Sequence, residues 1–212
     1  SFYTASLSEK NKIISIEASK QTSKEFIKNQ NLNNFKNINF FNNAVSNLNG
    51  EDITFYESTN DWESSQAHSK FKSVSEVTVQ SVQIDSLLKE YFLNECVVII
   101  KLDVEGNEIN VIKGALEIIK KSEPLIIIEF SKYIFENMDN IGYLKNFLLE
   151  YDYSIYGVDL DGSAVEITKL RLWLSLIVDE NDYNKTEPLP NLDFQILQGN
   201  SLISQVDGYN FQ

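Results

Sequence analysis

The run CVVIIKLDVEGNEINVIKGALEIIKKSEPLIIIEF, Cys96 to Phe130, constrains the fold more than any other stretch of the chain. An apolar strand runs straight into Asp103, Glu105 and Gly106. A helical repeat follows, with Ile109, Ile112, Leu116 and Ile119 at helix spacing, Lys120 and Lys121 at the negative end of the dipole, and Pro124 as the stop. A second apolar strand then ends in Glu129. Two runs apolar on both faces, joined by a helix, are the pattern of neighbouring parallel strands in a sheet covered on both sides.

Elsewhere the same alternation recurs. Ile13 to Ile16 reads as a short strand ending at Glu17, and Phe26, Ile27 and Leu32 lie on a helix capped by Thr22 or Ser23. NINFFNNAVSN reads as a second strand, and Ile53 and Phe55 alternate behind an Asn49-Gly50 hairpin signal. SEVTVQSVQIDSLLKEYF is a strand leading into a short helix capped by Asp85 or Ser86. A further helix around Tyr143 precedes a hairpin turning at Asp161-Gly162. The expected fold is α/β: a Rossmann-like, mostly parallel sheet flanked by helices, with an antiparallel hairpin at one edge. At 212 residues and 42% hydrophobic content, one domain over residues 1–212 is expected.

Charge narrows the function. A formal charge of −13 opposes a phosphate-tracking surface, so nucleic acid is not an expected partner. The single cysteine, Cys96, opens an apolar run and reads as a buried structural thiol. No apolar run approaches the ~20 residues of a spanning helix, so no membrane span is expected. With no signal peptide the expected location is cytoplasmic, although SFYTASLSEK does not look like a native beginning. Oligomeric state is not legible. Thr59 to Ser75 is polar and aperiodic, a loop able to close over a site, and it holds Trp62, Ser64, Ser65 and the only histidine, His68.

In open α/β sheets, ligands bind beyond the carboxyl ends of the strands. Glu17, Asp103, Glu105 and Glu129 would all lie at that edge. A strand-end carboxylate such as Glu17 suits a ribose diol, and Gly106 lets the backbone turn or approach a ligand. The bland alternative is that acids ahead of a helix favour its positive end. Lys101, a cation inside an apolar strand, needs a partner, which Asp103 or Glu129 could supply. Clustered acids could also hold Mg²⁺, although no ligand spacing demands it. DLDG, Asp159 to Gly162, reads as a turn rather than a calcium loop. Trp62, Tyr133, Tyr143 and Trp173 could stack on a sugar ring or be ordinary core and rim residues.

IIKLDVEGNEINVIKGALEIIKKSEPLIIIEF, preceded by KIISIEAS, NNAVSNLNGEDITFY and VTVQSVQIDSLL, resembles the FkbM-type methyltransferase family, class I S-adenosylmethionine-dependent enzymes that methylate hydroxyl groups of sugars and related natural products. The resemblance runs from about Ser1 to Thr168, leaving residues 169–212 as a less certain extension. It implies that Glu17 takes the donor's ribose, that Asn43 and Ala44 lie near the adenine, and that Ser64 and Ser65 are the serine pair of the family's variable loop. It also implies that Asp103, Glu105 and Gly106 form the acidic strand-end segment near the transferring methyl and the acceptor.

The family's first strand and Gly-rich loop have no counterpart here, so the expectation is an N-terminally truncated chain that binds the donor poorly by itself. Methyl transfer to a hydroxyl is an in-line displacement helped by a base. Asp103 is the first candidate, with Glu105, Glu129 and His68 as alternatives. The rival expectation is a degenerate, non-catalytic relative that keeps the sheet as a binding or scaffold protein.

Overall fold

The computed structural model describes residues 1–58, 74–91, 95–104, 106–129, 138–159, 161–178, 195–199, 205–206 and 209–210. The chain divides into two compact units, Ser1–Tyr151 and Asp152–Gln212.

In the first unit, α1 (Phe2–Leu7) leads to β1 (Ile13–Ile16), α2 (Lys20–Leu32) and β2 (Ile38–Phe41). β1 and β2 pair in parallel, Ile13 opposite Ile38 and Ile16 opposite Phe41. Aromatic stacking fixes the helices to this pair. Phe26 of α2 lies between Phe2 and Phe40, at centroid distances of 4.6 and 4.5 Å. Ser19, rather than Thr22 or Ser23, caps α2: its side chain accepts the Thr22 N–H at 3.2 Å, which meets one of the amides that a helix start leaves unpaired.

Three further strands, β3 (Ala44–Val45), β4 (Asp52–Ser58) and β5 (Val74–Val82), form a sheet of order β3-β5-β4. Ala44, Ile53, Phe55 and Val79 make its buried cluster. The Asn49-Gly50 segment does turn, with Gly50 at φ 74°, but it does not close a hairpin. β5 lies between β3 and β4, running parallel to the first and antiparallel to the second. Local turn chemistry was overridden by long-range pairing, since Ser81 exchanges backbone hydrogen bonds with Gly50 and Glu51.

α3 (Ile84–Tyr91) then leads to β6 (Ile99–Leu102), α4 (Glu108–Lys113), α5 (Leu116–Ser122), β7 (Leu125–Ile128) and α6 (Met138–Glu150). The single helix expected after Gly106 is two, broken at Gly114. Ile109, Val111, Ile112, Ala115, Ile118 and Ile119 are all buried, so both pieces keep one apolar face on the core. α5 ends with Glu123 in the left-handed conformation, φ 46°, immediately before Pro124. Asp85 belongs to the first turn of α3 and caps a different helix: its carboxylate accepts the N–H groups of Glu117 and Ile118 at the start of α5.

β6 and β7 pair in parallel, with Ile99 opposite Leu125 and Lys101 opposite Ile127. Those four residues share one face, and it is exposed rather than covered. Cys96 is exposed as well, because it precedes the strand instead of entering the core.

In the second unit, β8 (Gly157–Asp159) is followed by α7 (Gly162–Val178) and β9 (Ile196–Gln198), and β8 pairs with β9 in parallel. Val165 and Ile196 form its buried centre. Asp161-Gly162 is therefore a helix start, not a hairpin: the Asp161 carboxylate accepts the Ser163 N–H at 2.8 Å. Antiparallel pairing occurs instead between β4 and β5, and between β10 (Gln205–Val206) and β11 (Tyr209–Asn210). Among the described residues, no helix is long and apolar enough to cross a membrane.

Candidate functional site

Glu17 follows β1 directly. Its N–H donates to Phe41 O at 3.0 Å, and its Oε1 accepts the Ser19 N–H at 2.8 Å. Asn42 locks the same corner by donating from Nδ2 to Glu17 O, Ala18 O and Ser23 Oγ. The half-buried carboxyl is pushed above the ordinary glutamate range. Burial is the main cause; the amides of Ser19 and Ala18 pull the other way, and the charges of Glu57 and Asp103 push further upward.

Asp103 follows β6, and its Oδ2 accepts from Lys101 Nζ at 2.6 Å. Lys101 thus has the partner that its place in an apolar strand demands, but on the open face, with 64% of its side chain exposed. Glu129 follows β7, its N–H directed at Leu102 O. Desolvation raises its titration first, then the charge of Asp103 and a hydrogen bond shared with Asp103; Glu108 adds to the rise and Lys101 opposes it.

The charge of Asp103 acts on both Glu17 and Glu129, so Asp103, after β6, lies within electrostatic reach of the acids that follow β1 and β7. Gly106 lies at φ 103°, a conformation that L side chains rarely adopt, and turns the chain from β6 into α4. Asn43 is half-buried, with Nδ2 donating to Gln80 O at 3.2 Å. Ala44 points into the core, so only its backbone can line a site. Ser64, Ser65, His68 and Glu105 lie outside the described residues, as do Trp62, Tyr133 and the side chain of Trp173. Tyr143 is held on α6, with Lys113 Nζ 4.7 Å from its ring centroid. Among the described residues, no group of three or more His, Cys, Asp or Glu side chains is placed to hold a metal ion.

Two acids escape a reading of the sequence. Glu57, at the end of β4, accepts the Lys20 N–H at 2.7 Å and so reaches the start of α2 beside Glu17. Nothing in its neighbourhood in the chain signals that contact. Glu108 is 1% exposed; its Oε1 accepts the Gly106 N–H at 3.0 Å. Its position three residues after Glu105 and opening a helix was the available signal, and it reads equally well as a solvated first-turn acid.

Parallel strand pairs joined through helices, with acids beyond the strands' carboxyl ends, define an α/β protein of Rossmann-like type. The pattern of the methyltransferase FkbM domain matches residues 1–155, and the chain belongs to that family. A relative named "Putative type II restriction enzyme and methyltransferase RM.MjaORFECS2P", from Methanocaldococcus jannaschii, is 36% identical over 102 residues. That alignment covers 47% of this chain and 8% of the relative, so the chain spans only a small part of that protein's length. Among solved structures, methyltransferase FkbM from Methylobacillus flagellatus KT superposes with a TM-score of 0.42 at 17% identity, over 66% of this chain and 30% of that one.

Proposed function

We propose that the chain transfers a methyl group from S-adenosylmethionine to a hydroxyl of a sugar, glycan or related natural product. What supports this reading is that Asp103, following β6, lies within electrostatic reach of both Glu17 and Glu129, the acids that follow β1 and β7. A carboxylate-rich rim favours the positive charge of a sulfonium.

The donor supplies an electrophilic methyl carbon; the chain's part is to hold, align and deprotonate. Glu17 offers about four acceptor positions, two of them used by the Ser19 and Ala18 amides, which leaves capacity for both ribose hydroxyls. Asn43 and the backbone of Ala44 line the adenine end, and Ser64 and Ser65 are assigned to donor binding as the serine pair of the family's variable loop. Gly106 allows the chain to come close. Asp103 is the base: as oxygen attacks, the C–O bond forms, the C–S bond breaks, and the hydroxyl proton passes to the carboxylate. Glu129 and Lys101 orient Asp103, and Glu105 and His68 stand as the other groups able to take the proton.

The test is mass spectrometry of products from the full chain, the donor and a panel of sugars, beside Asp103→Asn and Glu17→Gln. A product heavier by one methylene, lost in Asp103→Asn and formed with a donor KM raised about tenfold or more in Glu17→Gln, is expected. Donor binding without any methylated product would favour the non-catalytic reading.

A further inference from the structure

Glu108 is buried more deeply than any other acid described, and one of its oxygens has a defined task. Oε1 accepts the Gly106 N–H at 3.0 Å. Oε2 is buried without a hydrogen-bond partner. Carboxylates are almost never fully buried unless paired, and leaving an oxygen unmatched is costly, so a helix that needed only an acid near its start would place it in solvent. Ordinary first-turn stabilisation does not explain this burial.

What Glu108 holds is the turn between β6 and the rim. Gly106 sits at φ 103°, so its amide direction follows from an uncommon backbone conformation that a hydrogen bond to a fixed acceptor secures. Glu108 is itself fixed, because Asn107 beside it donates from Nδ2 to Val45 O at 2.9 Å and accepts from Asn110 at 2.8 Å. The turn is thereby tied to β3, a strand of another sheet.

We propose that Glu108 is a positioning residue of the transfer site: through the Gly106 amide it sets the geometry of the turn that carries Asp103, without touching donor or acceptor. This rests on the methyl-transfer reading. Its charge also reaches the rim. Glu129 is faced by Asp103 and Lys101 beside β6 and by Glu108 from α4, and the Glu108 carboxylate is one of the charges that keep Glu129 protonated to higher pH.

Glu108→Gln keeps a carbonyl acceptor for Gly106 and removes the charge, whereas Glu108→Ala removes both. Amide hydrogen exchange at Gly106, read by NMR, is expected to speed up about tenfold or more in Glu108→Ala and to stay within about threefold of the parent in Glu108→Gln. The kcat is expected to fall about tenfold or more in Glu108→Ala with the donor KM little changed, and to be largely restored in Glu108→Gln. The Glu129 carboxyl titration should move to lower pH in Glu108→Gln. A folded Glu108→Ala with parental exchange at Gly106 and parental kcat would overturn the proposal, as would a Glu108→Gln that leaves the Glu129 titration in place. If Glu108→Ala does not fold, Glu108→Gln and Glu108→Asp carry the same comparison. A parent chain that transfers no methyl group sinks the transfer reading instead, and the exchange and titration arms still decide the anchor.

Discussion

A Cβ added to Gly114 would lie 2.2 Å from the carbonyl oxygen of Ser46, closer than any real Cβ contact. The break between α4 and α5 is thus pressed onto the backbone just after β3. Gly114 has φ −82°, an ordinary angle for any residue, so the requirement is space rather than conformation. Gly114→Ala should destabilise the chain by about 1–3 kcal/mol through forced separation of these segments, as measured by urea unfolding. A change within experimental error would show that the helices move apart freely.

Asp85 tests a contact between distant parts of the sequence. Its two oxygens accept from Ile118 N at 2.9 Å and Glu117 N at 3.0 Å. Asp85→Ala leaves both amides without these partners and should cost about 1–2 kcal/mol, within the range for a lost helix cap. Asp85→Asn, which keeps one acceptor oxygen, should lose less. Equal losses in the two variants would assign the effect to something other than capping.

The pH dependence follows from Glu17. Its folded-state pKa is raised, mainly by burial, so the folded chain binds a proton more tightly than the unfolded one. The resulting stability is fully present below the unfolded value, about 4.3, and is lost as pH rises through the folded value. Glu129 is raised and acts with the same sign. Glu17→Gln should therefore flatten the stability profile and exceed the parent in stability above that window, with no such advantage at lower pH. Unfolding midpoints measured from pH 3.5 to 8 check this, and a profile in the variant as steep as the parent's would count against Glu17 as the source.

Lys101 and Asp103 form an ion pair whose side chains are 64% and 49% exposed, so Lys101→Ala should change stability by less than about 1 kcal/mol. Its larger effect should be on the neighbouring acid. Lys101 holds the Glu129 titration down, and its removal should raise it. Carboxyl-carbon NMR across the titration measures the direction, and a shift toward lower pH would contradict the arrangement of the rim.

Where the acids of the candidate site fall along the chain could be read from residue order. An apolar strand ending in an acid leaves little freedom in where that acid goes, so Glu17, Asp103 and Glu129 were legible as strand-end carboxylates from β1, β6 and β7. The cap of α2 was misplaced by a few residues because Ser19, Thr22 and Ser23 are all competent caps, and only the backbone path chooses among them. Asn49-Gly50 and Asp161-Gly162 carried hairpin chemistry that pairing elsewhere in the chain overrode.

The sequence by itself determined the strand and helix periodicities, the family and the acids at the strand ends, since these depend on neighbours a few residues apart. Only the tertiary structure decided that Asp103 influences both Glu17 and Glu129, that Glu57 reaches α2, that Asp85 caps α5, and that Glu108 is buried under Gly106. Those relationships join residues brought together by strand pairing and core packing. Their energies depend on distance and solvent exclusion, neither of which is written in the local order of side chains.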